Sequence, residues 1–398
     1  MLARRRFLAS TLTALAALPF AARAAAAQAS PAPAASSSET ADTAREVGTM
    51  ELALLADAPS TPTGLAISAR GRVFVMMPRF TGDEPYTLGE VAPDGSVTPY
   101  PDAASNRPDP ERAQATFFHV PNGVFDRDDR LWLLDAGLPQ GSGSPVAGAA
   151  KLVQIDIETG TVLKIVPLDP GVEPTSSLND LRIDIADGRA RAFVTDQGQD
   201  GQGAVLAVDL DTGRVVRRLG EHASTRSQKG VAKFVEHRPV MRTSGSGKPT
   251  HVQGGANGIA LGPGGHRLYY APLMGRRLYA VDAASLLDTA KSDADIAAGV
   301  EDLGEKGLTG GLGADAQDRI YLTLQEQNAI GRRHPGGTLE TIASDPRLIW
   351  ADTIVITADG WLYVSAAQVN RRPEYNGGAD LQKPPYAVLR VRIDAGPA

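Results

Sequence analysis

Arg130-Leu131-Trp132 is one of six copies of a short pattern, and this repetition decides the fold. Each copy places a polar, an aliphatic and an aromatic residue in succession, after a Gly- or Asp-containing turn and before a short apolar run. A step that recurs through β-rich sequence marks one strand of a repeated β unit, as in propellers and solenoids. The other copies are Arg72-Val73-Phe74, Arg191-Ala192-Phe193, Arg267-Leu268-Tyr269, Arg319-Ile320-Tyr321 and, with Trp in first place, Trp361-Leu362-Tyr363.

The repeated unit extends on both sides of this step. A strand that begins with a small or polar residue precedes it, as in Asn122-Gly123-Val124-Phe125. A third strand of alternating apolar residues follows, as in Leu152-Val153-Gln154-Ile155-Asp156, and then a turn such as Glu158-Thr159-Gly160-Thr161 leads to a fourth strand. Gly adopts a positive φ at little cost in such turns. Four strands in each of six units predict an all-β fold, a six-bladed β-propeller.

The ends of the repeated region predict how the ring closes. The sixth unit has a third strand from Val388 to Ile393 but no fourth strand after it, while Glu51-Leu52-Ala53-Leu54-Leu55 precedes the first unit without a partner. An open edge between the first and last blades would leave backbone groups unpaired. We therefore predict that the N-terminal strand completes the last blade and closes one domain over residues 50–398.

Composition excludes several classes of function. The chain has 398 residues, a formal net charge of −6 and no cysteine. Residues 50–398 contain no Lys/Arg-rich run, so we expect no nucleic-acid partner. Absence of cysteine removes disulfides, thiolate metal sites and cysteine nucleophiles. We expect a monomer whose partner is a small-molecule ligand.

The N-terminus has the pattern of an export signal. Arg4-Arg5-Arg6-Phe7-Leu8 resembles the twin-arginine motif, and an apolar stretch to residue 20 precedes the small-residue cleavage options Ala22-Arg23-Ala24 and Ala27-Gln28-Ala29. We predict a signal peptide over residues 1–29, transport by the twin-arginine machinery and a periplasmic or extracellular location. An uncleaved membrane anchor is the alternative. Residues 1–29 carry four arginines and no acid, so cleavage changes the net charge from −6 to −10.

Residues 30–49 are rich in Ala, Ser, Pro and Thr and show no apolar periodicity, so we predict a disordered linker.

The candidate site is the mouth of the central channel. The inner strand of each blade lines the channel, so the residues that begin the six inner strands should meet at one end. Their amide and carboxylate oxygens suit a hard cation such as Ca²⁺. They equally suit the polar end of an organic ligand whose flat face packs on Trp350. Alternatively, these residues only shape turns. The positions are Thr63, Asn122, Asn179, Asn257, Gly310 (with Thr309 beside it) and Asp352; a metal would use Asn122, Asn179, Asn257 and Asp352.

Two Asp-x-Gly corners recur at the same offset in blades two and three, namely Asp135-Ala136-Gly137 and Asp196-Gln197-Gly198. We interpret them as Asx-turns that shape blade corners, with a shared functional role as the alternative. The repeat aromatics should pack between blades. The Arg that precedes them in five copies should point to the opposite sheet face or to a blade edge and form surface ion pairs.

Three insertions, at residues 101–118, 222–255 and 370–385, are long enough to be lids or binding loops. The second contains His222, His237 and His251, whose spacing is not that of metal ligands.

Several stretches together resemble the major royal jelly protein/Yellow family, including its bacterial members. They keep the family's order over roughly Pro62 to Arg372, and blades two to four match best. The stretches are Leu131-Trp132-Leu133-Leu134-Asp135-Ala136-Gly137, Ser176-Ser177-Leu178-Asn179-Asp180, Val194-Thr195-Asp196-Gln197-Gly198, Gly258-Ile259-Ala260-Leu261, Arg267-Leu268-Tyr269-Tyr270-Ala271-Pro272-Leu273 and Trp350-Ala351-Asp352-Thr353.

This resemblance implies a six-bladed propeller outside the cytoplasm, with a channel that holds small aromatic amines. For some members it implies a dopachrome-converting, tautomerase-like activity. Insect members are typically disulfide-bonded, and this cysteine-free chain departs from them. Asn179 and Asp180 match the family's Leu-Asn-Asp motif, and Asp352 matches Trp-x-Asp-Thr.

Three functional hypotheses follow. In the first, the channel binds an aromatic amine or catechol-type ligand through Asn122, Asn179, Asn257, Thr309 and Trp350. Asp180 or Asp352 then takes a proton from an activated C–H while the amides stabilise the oxyanion, which would make the protein an isomerase.

In the second hypothesis the protein is a Ca²⁺-dependent lactonase similar to gluconolactonase and regucalcin, although Thr63 stands where a Glu is expected. In the third it is a non-enzymatic periplasmic scaffold.

Overall fold

A computed structural model describes residues 47–186, 188–243 and 247–398. The predicted signal peptide and nearly all of the predicted linker lie outside these ranges. Six four-stranded antiparallel sheets are arranged as blades around a central channel, so the predicted six-bladed β-propeller is confirmed. No helix among the described residues is long and apolar enough to cross a membrane.

Each blade runs from an inner strand at the channel to an outer strand at the rim. Within the described ranges the first strand is β1 (Glu51–Ala56), and the only α-helix is α1 (Asp293–Ala298). Blade 1 contains β2 (Gly64–Ile67), β3 (Val73–Met76), β4 (Leu88–Val91) and β5 (Val97–Pro99); blade 2 contains β6 (Asn122–Phe125), β7 (Leu131–Asp135), β8 (Lys151–Asp156) and β9 (Thr161–Pro167); blade 3 contains β10 (Leu178–Ala186), β11 (Arg189–Asp196), β12 (Ala204–Asp209) and β13 (Val215–Arg218). The second insertion contains two short hairpins, β14 (Phe234–Val235) with β15 (Arg238–Pro239) and β16 (Met241–Arg242) with β17 (Thr250–His251). Blade 4 contains β18 (Ala256–Leu261), β19 (Arg267–Pro272), β20 (Arg277–Asp282) and β21 (Glu301–Glu305); blade 5 contains β22 (Thr309–Ala314), β23 (Ile320–Leu324), β24 (Ala329–Arg333) and β25 (Leu339–Ser344); blade 6 contains β26 (Ala351–Ile356), β27 (Trp361–Ala366) and β28 (Tyr386–Arg392). Short 3-10 helices occupy Pro110–Arg112, Asp169–Gly171, Pro263–Gly265, Ser285–Leu287, Val369–Arg371 and Pro373–Tyr375.

The N-terminal strand β1 closes the ring. It pairs antiparallel with β28, from Glu51 opposite Arg390 to Ala56 opposite Tyr386, and so supplies the fourth strand of blade 6. The Glu51 carboxylate also lies 3.1 Å from the Arg390 guanidinium. Because β1 pairs with β28, blade 6 has four strands and no unpaired edge remains between the first and last blades.

Each interface between neighbouring blades contains an apolar cluster with one repeat aromatic. Phe74 packs between blades 1 and 2, Trp132 between blades 2 and 3, and Phe193 between blades 3 and 4. Tyr269 and Tyr321 pack in the next two interfaces, and the half-buried Tyr363 packs in the interface that closes the ring. The repeat step of the sequence is thus the contact that joins one blade to the next, as predicted.

The prediction for the repeat arginines is wrong in two blades. Arg191 and Arg319 are buried and pair with Asp184 and Asp315 at 2.7 Å and 2.6 Å. In blades 1, 3 and 4 the guanidinium also lies 5.2–5.4 Å from the centre of the aromatic ring two residues later. Residues i and i+2 share one face of a strand, so the arginine covers the aromatic side chain and cannot point away from it.

The two Asp-x-Gly corners are structural, in agreement with our interpretation. The buried Asp196 carboxylate accepts hydrogen bonds from the Ser177 and Gly198 backbone N–H groups and from the Arg217 side chain. Asp135 accepts in the same way from the His119 and Gly137 backbones and from the Lys151 ammonium. Each carboxylate therefore ties the segment before an inner strand to the corner after the second strand.

The second and third insertions contact each other above blades 5 and 6. Arg371 lies 2.6 Å from the Glu236 carboxylate, and the Thr243 backbone N–H donates to the Glu374 carbonyl. Apolar residues of both insertions form a small core with Trp350, and a cavity of about 810 Å³ lies between the two segments. The insertions therefore cover part of the channel mouth.

Candidate ligand site at the channel mouth

A β-bulge occurs at the predicted ring position in four of the six inner strands. Blades 1 and 2 pair their inner strands in unbroken register. A bulge leaves the extra residue unpaired and re-aims its side chain, which here places polar groups at the channel mouth. The register shifts fall around Asn179 in blade 3, Asn257 in blade 4, Gly310 with Gly311 in blade 5, and Asp352 with Thr353 in blade 6.

Hydroxyl groups on the second strands hold three of these bulges. Thr195 accepts a hydrogen bond from the Asp180 backbone N–H at 3.2 Å and donates to the Asn257 carbonyl of the next blade at 2.6 Å. Ser365 accepts from the Thr353 N–H at 3.1 Å and donates to the Thr63 carbonyl at 2.9 Å. The bulges are therefore fixed parts of the scaffold, which is how a rigid fold positions functional side chains.

Asp180 is a buried carboxylate at this mouth. It accepts hydrogen bonds from the Asn122 amide at 2.6 Å, the Leu181 backbone N–H at 2.7 Å and the Arg182 guanidinium at 2.8 Å. Burial raises the pKa of Asp180, although Arg182 and these donors oppose the shift. Arg182 also donates to the Leu312 carbonyl of blade 5, so its side chain crosses the channel below Asp180.

Asp352 is the half-buried acid of the mouth. Its carboxylate and the Gln325 amide both lie against Gly310, because a Cβ there would be 3.0 Å from Asp352 Oδ1 and 2.5 Å from Gln325 Nε2. Desolvation raises the pKa of Asp352 to about 7; Lys233 lowers it, the Asp180 charge raises it further, and a hydrogen bond from Trp350 lowers it. A carboxyl poised near neutral pH inside a channel is a candidate acid–base group.

Lys233 reaches this mouth from the second insertion. Its side chain is fully buried, its ammonium donates to Gln325 Oε1 at 2.6 Å, and it lies 4.5 Å from the centre of the Trp350 ring. Desolvation lowers the pKa of Lys233 to about 7, while Asp352 and Glu326 oppose the shift. The mouth therefore contains an acid and an amine that both titrate near neutrality.

The remaining predicted residues have distinct surroundings. Asn257 donates to Gln197 Oε1 at 3.1 Å, and Thr309 donates to the Gly311 carbonyl within its own blade. Asn179 is half-buried, and its side chain makes no hydrogen bond within the described parts of the chain. Trp350 has a φ of 53°, a left-handed conformation that costs energy for a bulky residue and that often occurs at functional sites.

The predicted metal ligands do not fit a Ca²⁺ site. Asn122 turns its amide nitrogen toward Asp180, and its oxygen accepts from the Gly123 N–H at 2.8 Å. The Arg182 guanidinium already lies 2.8 Å from the Asp180 carboxylate, and the Lys233 charge lowers the pKa of Asp352. Within the described ranges, no group of three or more His, Asp and Glu side chains could hold a metal ion. A Ca²⁺ site needs several uncommitted oxygens at one point, and this mouth does not provide them.

Sequence reasoning missed Lys233, Gln325 and Arg182. Arg182 lies two residues after Asp180 on one strand, so the period of two could have placed it on the channel face. Gln325 follows β23, where no repeat feature marked it. No local pattern marks Lys233, because only the path of the second insertion brings it to the mouth.

The fold and sequence of this chain are similar to those of known proteins. The structure resembles regucalcin, a calcium-binding protein from Agrobacterium tumefaciens, with a TM-score of 0.54 and 17% identity over 88% of this chain and 98% of that one. It also resembles a luciferin-regenerating enzyme, with a TM-score of 0.51 and 13% identity over 87% of this chain and 98% of that one. At these identities the likeness shows the fold alone.

Two curated relatives come from the honeybee, Apis mellifera. Major royal jelly protein 3 is 27% identical over 191 residues, which are 47% of this chain and 32% of the relative. Major royal jelly protein 1 is 27% identical over 221 residues, which are 53% of this chain and 48% of the relative. The matched region thus spans a third to a half of these relatives. The family model described as "Major royal jelly protein" matches residues 123–380, more than half of the chain. The chain belongs to the major royal jelly protein family.

Proposed function

We propose that the channel mouth binds a small catechol-derived ligand with an amine group and catalyses its isomerisation by proton transfer, in the manner of a tautomerase. We further propose that the protein works after twin-arginine export, in the periplasm or outside the cell. The single observation that carries the proposal is Asp352, a half-buried carboxyl in the channel with a pKa near neutrality and an amine opposite it.

The mouth offers complementary groups for such a ligand. The Trp350 ring is buried, with the Lys233 ammonium 4.5 Å from its centre, and it becomes an aromatic face for the ligand when the second insertion moves. The Asn179 side chain has donors and an acceptor that no hydrogen bond within the described residues occupies. Asp180 and Asp352 add negative charge for a ligand ammonium. A pocket with one aromatic wall and a few convergent polar groups is typical of small-ligand sites.

The same groups account for proton transfer. In the ionised form Asp352 takes a proton from an activated C–H of the ligand, and in the neutral form it returns the proton to another atom, so that no net proton is consumed. The Lys233 ammonium and nearby amides stabilise the negative charge that develops on the ligand oxygen. Asp180 stays beside Arg182 and raises the proton affinity of Asp352 through its charge.

Binding and turnover test the proposal. We expect dopamine to bind the mature protein in isothermal titration calorimetry, and dopachrome to lose its visible absorbance faster in the presence of the protein. Asp352→Asn should reduce kcat by roughly 10²–10⁴-fold, which is the usual contribution of a general acid–base group. Asn179→Ala should weaken binding. Glu158→Gln, on an exposed turn of blade 2, is the control and should match the wild type.

The alternative functions give different results in the same experiments. A lactonase would hydrolyse lactones in a chelator-sensitive manner and would leave dopachrome unchanged. A scaffold would neither bind dopamine nor turn over either substrate. The proposal is rejected if Asp352→Asn and Asn179→Ala both bind dopamine and convert dopachrome like the wild type.

A further inference from the structure

Three lysines of this propeller are fully buried, and their partners differ. The Lys151 ammonium donates to three backbone carbonyls and to Asp135, all at 2.9–3.0 Å. The Lys306 ammonium donates to the carbonyls of Gly275 and Gly307, both at 2.9 Å. These contacts hold each amine in place, although burial and the neighbouring Lys233 and Arg276 charges lower the pKa of Lys306 well below its usual range.

Lys233 lacks this arrangement. Within the described residues its ammonium donates one hydrogen bond, to Gln325 Oε1, and faces the Trp350 ring. The Gln325 side chain is itself fixed, because its amide donates to the Ala351 carbonyl at 3.0 Å. An ammonium that is buried away from water and has only one neutral hydrogen-bond partner is destabilised relative to the neutral amine. The neutral amine is the nucleophilic form. The Asp352 carboxylate raises the pKa of this amine through its charge, and Asp352 is the acid that could supply and accept protons.

We infer that Lys233 is a nucleophilic lysine that reacts with a carbonyl ligand in the channel mouth to form an imine. The carbonyl ligands would be aromatic aldehydes or ortho-quinones. The inference rests on the proposed ligand site and deepens it by naming the reactive group of the ligand. Buried lysines with few polar partners serve as Schiff-base residues, and the aromatic wall of Trp350 suits an aryl carbonyl.

The chemistry balances with the groups present. The lone pair of Lys233 Nζ attacks the carbonyl carbon, and the carbonyl oxygen takes a proton from Asp352 to give a carbinolamine. Nζ returns a proton to the Asp352 carboxylate. Asp352 then protonates the hydroxyl, which leaves as water while the C=N bond forms. One amine and one carbonyl give one imine and one water, with no change in oxidation state.

Ligand access requires movement of the second insertion, because the Lys233 side chain is fully buried. Asp352 and Asn179 already open onto the channel. The insertion is held at Glu236 by Arg371, at Thr243 by the Glu374 carbonyl, and by the apolar core around Trp350, so ligand access requires these contacts to open together.

Reductive trapping tests the inference. The mature protein is treated with 3,4-dihydroxybenzaldehyde and sodium cyanoborohydride, and the modified lysines are identified by peptide mass spectrometry. We expect one adduct on Lys233, formed at least about tenfold faster than on the exposed Lys229, because burial with few polar partners favours the nucleophilic amine form of Lys233. Lys151, which is equally buried and whose ammonium pairs with the Asp135 carboxylate, is the internal control and should stay unmodified.

Variants separate the inference from the proposed function. Lys233→Arg keeps a positive charge but forms no imine, so the adduct should disappear, while Asp352→Asn should slow trapping. Dopamine should protect Lys233 when both compounds are present. An unmodified Lys233 in protein whose Lys229 is labelled overturns the inference. If dopamine still binds and Asn179→Ala weakens that binding, the proposed function survives; if Lys233 is trapped and dopamine does not bind, only the proposed amine ligand fails.

Discussion

The Asp352→Asn variant and the wild type should differ in their free energy of unfolding, and we expect this difference to depend on pH. The wild-type carboxyl titrates near 3.8 in the unfolded chain and near 7 in the folded protein. Below about pH 4 both states hold the proton, and the carboxyl has no effect on stability. Between about pH 4 and 7 only the folded state holds it, so the wild type loses stability as the pH rises; above 7 the loss is complete.

The size of this loss of stability follows from the shift in the pKa of Asp352 between the unfolded and the folded protein. A difference of about three pKa units corresponds to roughly 4 kcal/mol, since each unit is worth about 1.4 kcal/mol. Asp352 is half-buried and the channel admits solvent, so we expect about 2–4 kcal/mol. Asn does not titrate, and the loss of the neighbouring carboxylate lowers the pKa of Lys233 further, which adds to the same trend. The free energy of unfolding of Asp352→Asn minus that of the wild type should therefore rise from pH 4 to pH 7.

Equilibrium urea unfolding at pH 4, 5, 6, 7 and 8 measures the difference. Asp345→Asn is the control, because hydrogen bonds with Arg347 lower the pKa of Asp345. Its stability difference from the wild type should change only below about pH 4 and stay constant above pH 5. A difference for Asp352→Asn that is independent of pH, or that falls as the pH rises, would refute the raised pKa and with it the acid–base role of this residue.

Three further predictions concern the scaffold. Gly310→Ala would place a Cβ 2.5 Å from Gln325 Nε2, so dopamine affinity should fall at least about tenfold by calorimetry, whereas Gly336→Ala, with nothing within 4 Å, should leave it unchanged. Asp196→Ala leaves the Arg217 charge and two backbone donors without their buried partner, and urea unfolding should show a loss of about 3–5 kcal/mol; a loss under 1 kcal/mol would contradict the corner role. Deletion of the chain through Ala56 removes β1 and exposes the edge of β28, so size-exclusion chromatography should show self-association, and a stable monomer would contradict ring closure by this strand.

The fold was predictable because every blade repeats the same strand pattern and the same packing contact with its neighbour. The aromatic at the centre of each repeat packs in an interface between blades, and its recurrence in the sequence reports six interfaces. The sequence has one strand, β1, without a partner and one blade, blade 6, without a fourth strand, so β1 could be assigned to blade 6. These inferences depend on local pattern and on the need to pair backbone groups.

The site was only partly predictable, because its chemistry depends on contacts between distant segments. The ring positions of Asn179, Asn257 and Asp352 followed from the repeat, but the bulges that aim them did not, since a bulge has no mark in these strands beyond Gly310-Gly311. Lys233 reaches Gln325 from 92 residues away along the chain. The pKa of Asp352 then depends on burial and on that lysine, and neither is visible in local sequence.

A crystal structure of the mature protein with dopamine would show directly whether the channel mouth is the ligand site. We expect electron density for one dopamine molecule at the channel mouth, with its ring against Trp350 and polar contacts to Asp352 and Asn179. A metal ion bound by Asn122, Asn179, Asn257 and Asp352, or dopamine found only outside this mouth, would contradict it.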